Sequence, residues 1–191
     1  MRKEVISLYG QISPRHVNPR SYMLTFFVLS AILSVLMFIV PFISPNGTFV
    51  DLDGTPGTMD HGDLWSEQDP LTMVLYGFGD MVCHQQMSRT VILNGSEMPI
   101  CIRDLGLLLG FCIGCAVTTV KFGHSAIYRH ARVYVIISFL LIFTDWLIQH
   151  IFDLNIPITR LITGLLAGAG FSLIIYCWMN SVISNDDIER F

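Results

Sequence analysis

Two cysteines, a histidine and two aspartates crowd into one short stretch, "DMVCHQQMSRTVILNGSEMPICIRDLG", residues 80–106. Thiolate, imidazole and carboxylate are the donors zinc accepts in tetrahedral geometry, and C-x₂-D at Cys101 and Asp104 is C-x₂-C with one harder ligand. Cys83, His84, Cys101 and Asp104 are therefore the candidate metal set, with zinc as the cofactor. Cysteine spacing leaves two alternatives open: a Cys83–Cys101 disulfide, or two thiols buried by packing.

Local turn chemistry explains how residues so far apart in sequence could meet. Asn94-Gly95 lies between two apolar runs, and both residue types tolerate φ > 0, which a two-residue hairpin turn requires. The turn sets Leu93 opposite Ser96 and, extended regularly, Ser88 opposite Cys101. Cys101 then returns toward Cys83 and His84, and Asp104 stands in the first turn of the following helix, where free N–H groups favour a carboxylate.

A second group of ionisable residues belongs to the same level. Asp145 and Gln149 are i, i+4 on one helix face, and Asp145 lies about 9 Å inside the outer helix end at about 1.5 Å per residue. An aspartate at that depth in an apolar segment is costly unless paired, so Asp145 and Gln149 are candidate catalytic residues, as a base or an orienting pair. The competing role for Asp145 is a structural ion pair with Arg103 or Arg160. Arg89, Arg103 and Arg160 are candidates for holding an anionic group such as a lipid phosphate.

These residues must be positioned by membrane helices. The chain of 191 residues is 52% hydrophobic and only 14% charged, with a mean hydropathy of +0.58. Its net charge of -4 argues against nucleic acid as a partner. Four segments approach the roughly 20 apolar residues that cross a hydrocarbon core: 22–43, 105–120, 133–151 and 161–183. Each must be an α-helix, because lipid offers backbone groups no partner outside their own segment. The fold class is an all-α integral membrane protein, a four-helix bundle forming one domain over residues 1–191.

Lysine and arginine orient it. Arg2, Lys3, Arg15 and Arg20 lie in the N-terminal tail, Lys121, Arg129 and Arg132 between the second and third spans, and Arg190 near the C-terminus. Those parts should be cytoplasmic, which puts both termini inside the cell membrane and the loop 44–104 outside. That loop opens with a Gly-, Pro- and Asp-rich part that has no period and reads as irregular chain; His61, between Asp60 and Asp63, reads as a solvated loop residue. The apolar "PLTMVLYGFGDMV" after it is too short to span and fits a short interfacial or re-entrant helix.

Two spans advertise close packing. Gly106, Gly110 and Gly114 recur every four residues on the second, and Gly164 and Gly168 do the same on the fourth. Cys112, Cys115 and Cys177 read as packing residues, since C-x₂-C within a helix cannot close a good disulfide. His150 reads as interfacial, while His124 and His130 fall in the basic inner loop.

The order C-H-Q, Arg, turn, M-P-x-C-x-R and Gly-rich helix resembles a family of small prokaryotic membrane proteins known as domain of unknown function 2085. Cys83, His84, Gln85, Cys101, Arg103 and Gly106 match its pattern, and Asp104 stands where the family usually has a last cysteine. Asp145, Trp146, Gln149, Arg160, Thr163 and Gly164 resemble its second half, so the likeness spans about residues 70–170. The resemblance implies a membrane fold and carries no assigned activity. The Asp in place of Cys weakens a redox interpretation and suits zinc, which takes either ligand.

Two function classes follow. In one, an outward zinc centre activates water and the arginines hold an anionic lipid or a small phosphorylated substrate, which makes a metal-dependent hydrolase. In the other, the Cys/His/Asp unit is a closed zinc knuckle or a disulfide, and the bundle is a binding, transport or assembly module. A thiol–disulfide enzyme ranks behind both, because the outer side has no exposed C-x-x-C. The partners are the bilayer, an anionic lipid or small-molecule ligand, and further copies of the chain.

Overall fold

The computed structural model describes residues 19–120 and 124–188 of the chain, with side chains described outside 121–129 and 182–191. Among the described residues, four helices are long and apolar enough to cross a membrane, and their candidate spans are Pro19–Phe42, Ile102–Thr119, His130–Ile151 and Pro157–Ser181. The first is helix α1 (Pro19–Ile39), extended by a 3-10 turn, Val40–Phe42. The others are α4 (Ile102–Thr119), α5 (His124–Ile151) and α6 (Pro157–Ile188). The all-α membrane class expected from composition holds, and each span starts three or four residues earlier than expected while ending within about two residues of the expected end. Of the basic residues used to orient the chain, Arg2, Lys3, Arg15, Lys121 and Arg190 lie outside the described residues, as do the side chains of His124 and Arg129.

Helices α4 and α6 form the tightest pair because glycine lets their backbones touch. A Cβ at Gly110 would sit 2.1 Å from the Leu165 carbonyl oxygen, and one at Gly168 2.1 Å from that of Leu107. No side chain fits either gap, so both stripes are packing surfaces, as their four-residue spacing predicts. Helix α1 lies against α4, and α5 lies against α6. At the end away from the loop, Met23, Cys115 and Tyr176 are buried together, which confirms Cys115 as a packing residue.

The segment joining α1 to α4 is a packed cap. Helix α2 (Gly62–Ser66) and helix α3 (Pro70–Val82) stand beside a hairpin of β1 (Thr90–Leu93) and β2 (Ser96–Cys101). Helix α3 starts where Asp69 accepts the Leu71 and Thr72 N–H groups and Pro70 occupies the first helical position, a site that needs no N–H. The region read as irregular chain has a core of its own: Phe49, Trp65 and Tyr76 stack within 5.7 Å of one another and are fully buried with Leu52 and Met98. Met37 and Val40 of the first span join the same cluster and tie the cap to the bundle.

His61 corrects a second expectation. It does not stand free: its N–H donates to Asp80 Oδ2 at 2.9 Å, and its ring lies 3.5 Å from Oδ1.

The hairpin forms at the predicted turn, with φ of 52° at Asn94 and 68° at Gly95, and Leu93 faces Ser96. Asn94 also donates to the Pro41 and Ser44 carbonyls at 3.0 and 3.2 Å, which docks the tip on the end of the first span. The expected pairing of Ser88 with Cys101 is wrong: Thr90 faces Cys101 instead. The irregularity lies between this pair and Ile92–Glu97, where β2 carries Pro99, a residue with no N–H to give the ladder. The Pro99 carbonyl accepts Gln85 Nε2 at 3.0 Å, so the bulge is anchored to the C-H-Q segment.

Candidate metal centre

Cys83, Cys101 and Asp104 come together at the junction of α3, β2 and α4. One ligand atom from each lies within 4.8 Å of the others. Helix α3 ends at Val82 and leaves Cys83 extended; the bulged β2 delivers Cys101 as the N-cap of α4; Asp104 follows in that helix's first turn. The Cys101 N–H donates to Cys83 Sγ at 3.2 Å, and Cys101 Sγ donates to Asp104 Oδ2 at 3.1 Å. Zinc–sulfur bonds of about 2.3 Å at tetrahedral angles put donor atoms roughly 3.8 Å apart, so the spacing of this set suits such an ion. The contact with Cys101, followed by burial and the charges of Cys101 and Asp104, pushes the Cys83 thiol above its ordinary range. A cation reverses that by stabilising thiolates.

His84 is outside the cluster. Backbone at Cys83 is extended (φ −132°, ψ 151°), so neighbouring side chains leave on opposite sides. Its Nδ1 lies 3.2 Å from the Gly54 carbonyl oxygen, on the exposed side of the cap. Gln85, the third residue of C-H-Q, is fully buried at φ 46° and serves the hairpin through Pro99.

Beside the cluster opens a cavity of about 190 Å³. Cys83, Cys101 and Asp104 line it, and so do His84 and all three candidate anion-binding arginines, Arg89, Arg103 and Arg160. Val82, Gln86, Trp146, Gln149 and His150 also line it. Composition gave no signal for Gln86. His150, read as interfacial, is exposed and stacks on Trp146 with ring centroids 5.5 Å apart.

The arginines are held by the second ionisable group. Arg103 Nη2 donates to Asp145 Oδ2 at 2.8 Å, which selects Arg103 from the two partners considered for Asp145. Gln149 Nε2 donates to Asp145 Oδ1 at 2.7 Å, in keeping with their shared helix face. Gln149 Oε1 in turn accepts Arg160 Nε at 2.5 Å. Asp145 is not among the cavity's lining residues, whereas Gln149 is. Within this hydrogen-bonded network Arg103 Nε is buried without a hydrogen-bond partner.

Residues 83–174 match the family described as Predicted membrane protein (DUF2085). The match begins at Cys83 and includes the whole cluster, the three arginines, Asp145 and Gln149; α1 and most of the cap precede it. No curated protein and no solved structure matches the chain.

Proposed function

We propose that Cys83, Cys101 and Asp104 hold a zinc ion at the edge of an anion-binding cavity, and that the protein is a metal-dependent hydrolase of an anionic lipid or small phosphorylated substrate. The observation that carries this is the open side of the cluster. Three donors converge without a fourth from His84, and the cavity bordering them has three guanidinium groups in its wall. Catalytic zinc sites keep one position for water or substrate, whereas structural sites close with four protein ligands. When bound, zinc supplies a water that ionises near neutral pH.

The chain's own residues do the rest. Arg89 and Arg160, with Arg103 beside the cluster, receive the negative charge of the substrate and orient it by paired N–H donors. Asp145 acts as a positioning residue: it fixes Arg103 directly and Arg160 through Gln149. Gln149 reaches the cavity wall with both amide N–H groups engaged, by Asp145 and Thr159, so it orients Arg160 rather than binding substrate itself. From the Lys/Arg distribution, this face lies outside the cell membrane and both termini lie in the cytoplasm.

Turnover tests the hydrolase. Zinc-loaded protein should cleave a chromogenic phosphate, sulfate or carboxylate ester, with activity lost on chelation and in Cys101→Ser. Zinc-loaded protein that binds the anion and cleaves none of these esters would be a binding module. Sidedness has its own check. A membrane-impermeant thiol reagent should label Gly57→Cys above the parent chain from outside, and Ser125→Cys only after permeabilisation; the reverse would turn the cavity to the cytoplasm.

A further inference from the structure

The arginine-lined cavity does not end at the metal cluster. A second, apolar groove of about 280 Å³ runs between three helices, lined by Leu33 and Met37 of α1, Phe78 of α3, and Leu107, Leu108 and Phe111 of α4. Val82 and Asp104 line both spaces, so the groove begins where the polar cavity stops. From Asp104 to Phe111 it follows α4 for about 10 Å, into the stretch that crosses the membrane.

Such a pair of spaces fits an amphiphile. A charged head would meet Arg89, Arg103 and Arg160, while a hydrocarbon chain continuing past Asp104 would meet the groove. A free anion would use only the first space. We infer that the groove holds the hydrocarbon tail of a phosphate-headed lipid whose head lies in the arginine-lined cavity. This rests on the cavity being an anion site, as proposed above, and it narrows the substrate class from any anion to a lipid. It does not depend on the metal: the arginines and the groove stand without it.

The test uses the full chain in lipid nanodiscs with dodecyl phosphate carrying a diazirine near the end of its alkyl chain. After irradiation, adducts are mapped by mass spectrometry, and zinc per chain is measured on the same samples. Adducts should concentrate on Leu107, Leu108 and Phe111. Unlabelled dodecyl phosphate should displace them at least tenfold more effectively than butyl phosphate, inorganic phosphate or dodecyltrimethylammonium, the last of which enters bilayers but has the wrong charge. Leu33→Trp, which fills the groove, should cut labelling at least fivefold with zinc unchanged. If Leu33→Trp fails to fold, the competition series on the wild type decides alone. Adducts spread evenly over lipid-facing residues such as Ile136 and Phe143 would overturn the inference. So would equal competition by inorganic phosphate, which would make the ligand a free anion, or equal competition by the ammonium amphiphile, which would leave only bilayer lipid. Groove labelling without zinc would keep the tail site and remove the metal centre.

Discussion

Asp80 in the cap and Asp145 at the rim of the bundle are both withdrawn from solvent, and they are held by different kinds of partner. Asp80 is fully buried and is surrounded by neutral donors: the His61 N–H at 2.9 Å and the Trp65 indole at 2.9 Å, with the His61 ring close by. Asp145 instead faces a guanidinium, Arg103, whose Nε is left unpartnered beside a cavity. The cap directs its donors at its own acid and is built to be stable. The rim leaves cationic groups and thiols around open space, which is where a ligand gains most from binding. The segment matched by the family model follows the same division, covering the rim and beginning after Asp80.

The largest expected effect breaks the rim. Removing the charge of one partner of a fully buried ion pair costs roughly 3 kcal/mol or more, because the other charge stays behind, and the mostly buried Arg103–Asp145 pair should lose a part of that. Asp145→Asn should therefore lower the melting temperature clearly, and Asp145→Leu with Arg103→Met should recover most of the loss. If Asp145→Asn alone melts like the wild type, the pair does not organise the rim.

A middle-sized effect separates two acids of the cap by the sign of their pH dependence. Burial raises the pKa of Asp80, but the hydrogen bonds from His61 and Trp65 outweigh it and hold the group below its ordinary value of 3.8. Its contribution is present above that unfolded value and is lost as pH falls through the lower folded value. Glu97 is the opposite case. It is fully buried, and burial raises it above 4.5 despite the Leu52 N–H. Its contribution is complete below 4.5 and is lost as pH rises through the folded value. Melting against pH should thus show Asp80→Asn less stable than wild type near neutrality and converging with it in acid. Glu97→Gln should gain on wild type as pH rises. Parallel curves for both variants would mean that neither carboxyl is perturbed.

Much of the bundle was legible in the sequence, because membrane spans announce themselves by length and glycine stripes by spacing. Asn94-Gly95 fixed its turn for an equally local reason, the tolerance of both residues for positive φ. The cap was not legible: Phe49, Leu52 and Trp65 stand singly among Gly, Pro and Asp, so no periodicity marks them as one core. Asp145 could be recognised as needing a partner, yet choosing Arg103 required the helix packing. Proximity in sequence groups His84 with the metal set, and the extended backbone at Cys83 turns it away.

His84 accordingly gives the smallest expected effect. His84→Ala should leave zinc content unchanged and stability within about 0.5 kcal/mol, as for an exposed side chain that makes one bond to a carbonyl. Zinc lost from this variant would restore a fourth protein ligand and with it a closed, structural site.

The central claim is most directly tested by elemental analysis of the full chain purified without reductant, combined with thiol titration after chelation and denaturation. About one zinc per chain is expected, with Cys83 and Cys101 both titratable, and Cys101→Ala should lose the metal. A Cys83–Cys101 disulfide with no bound metal would contradict the account and leave a covalent staple in place of a metal centre.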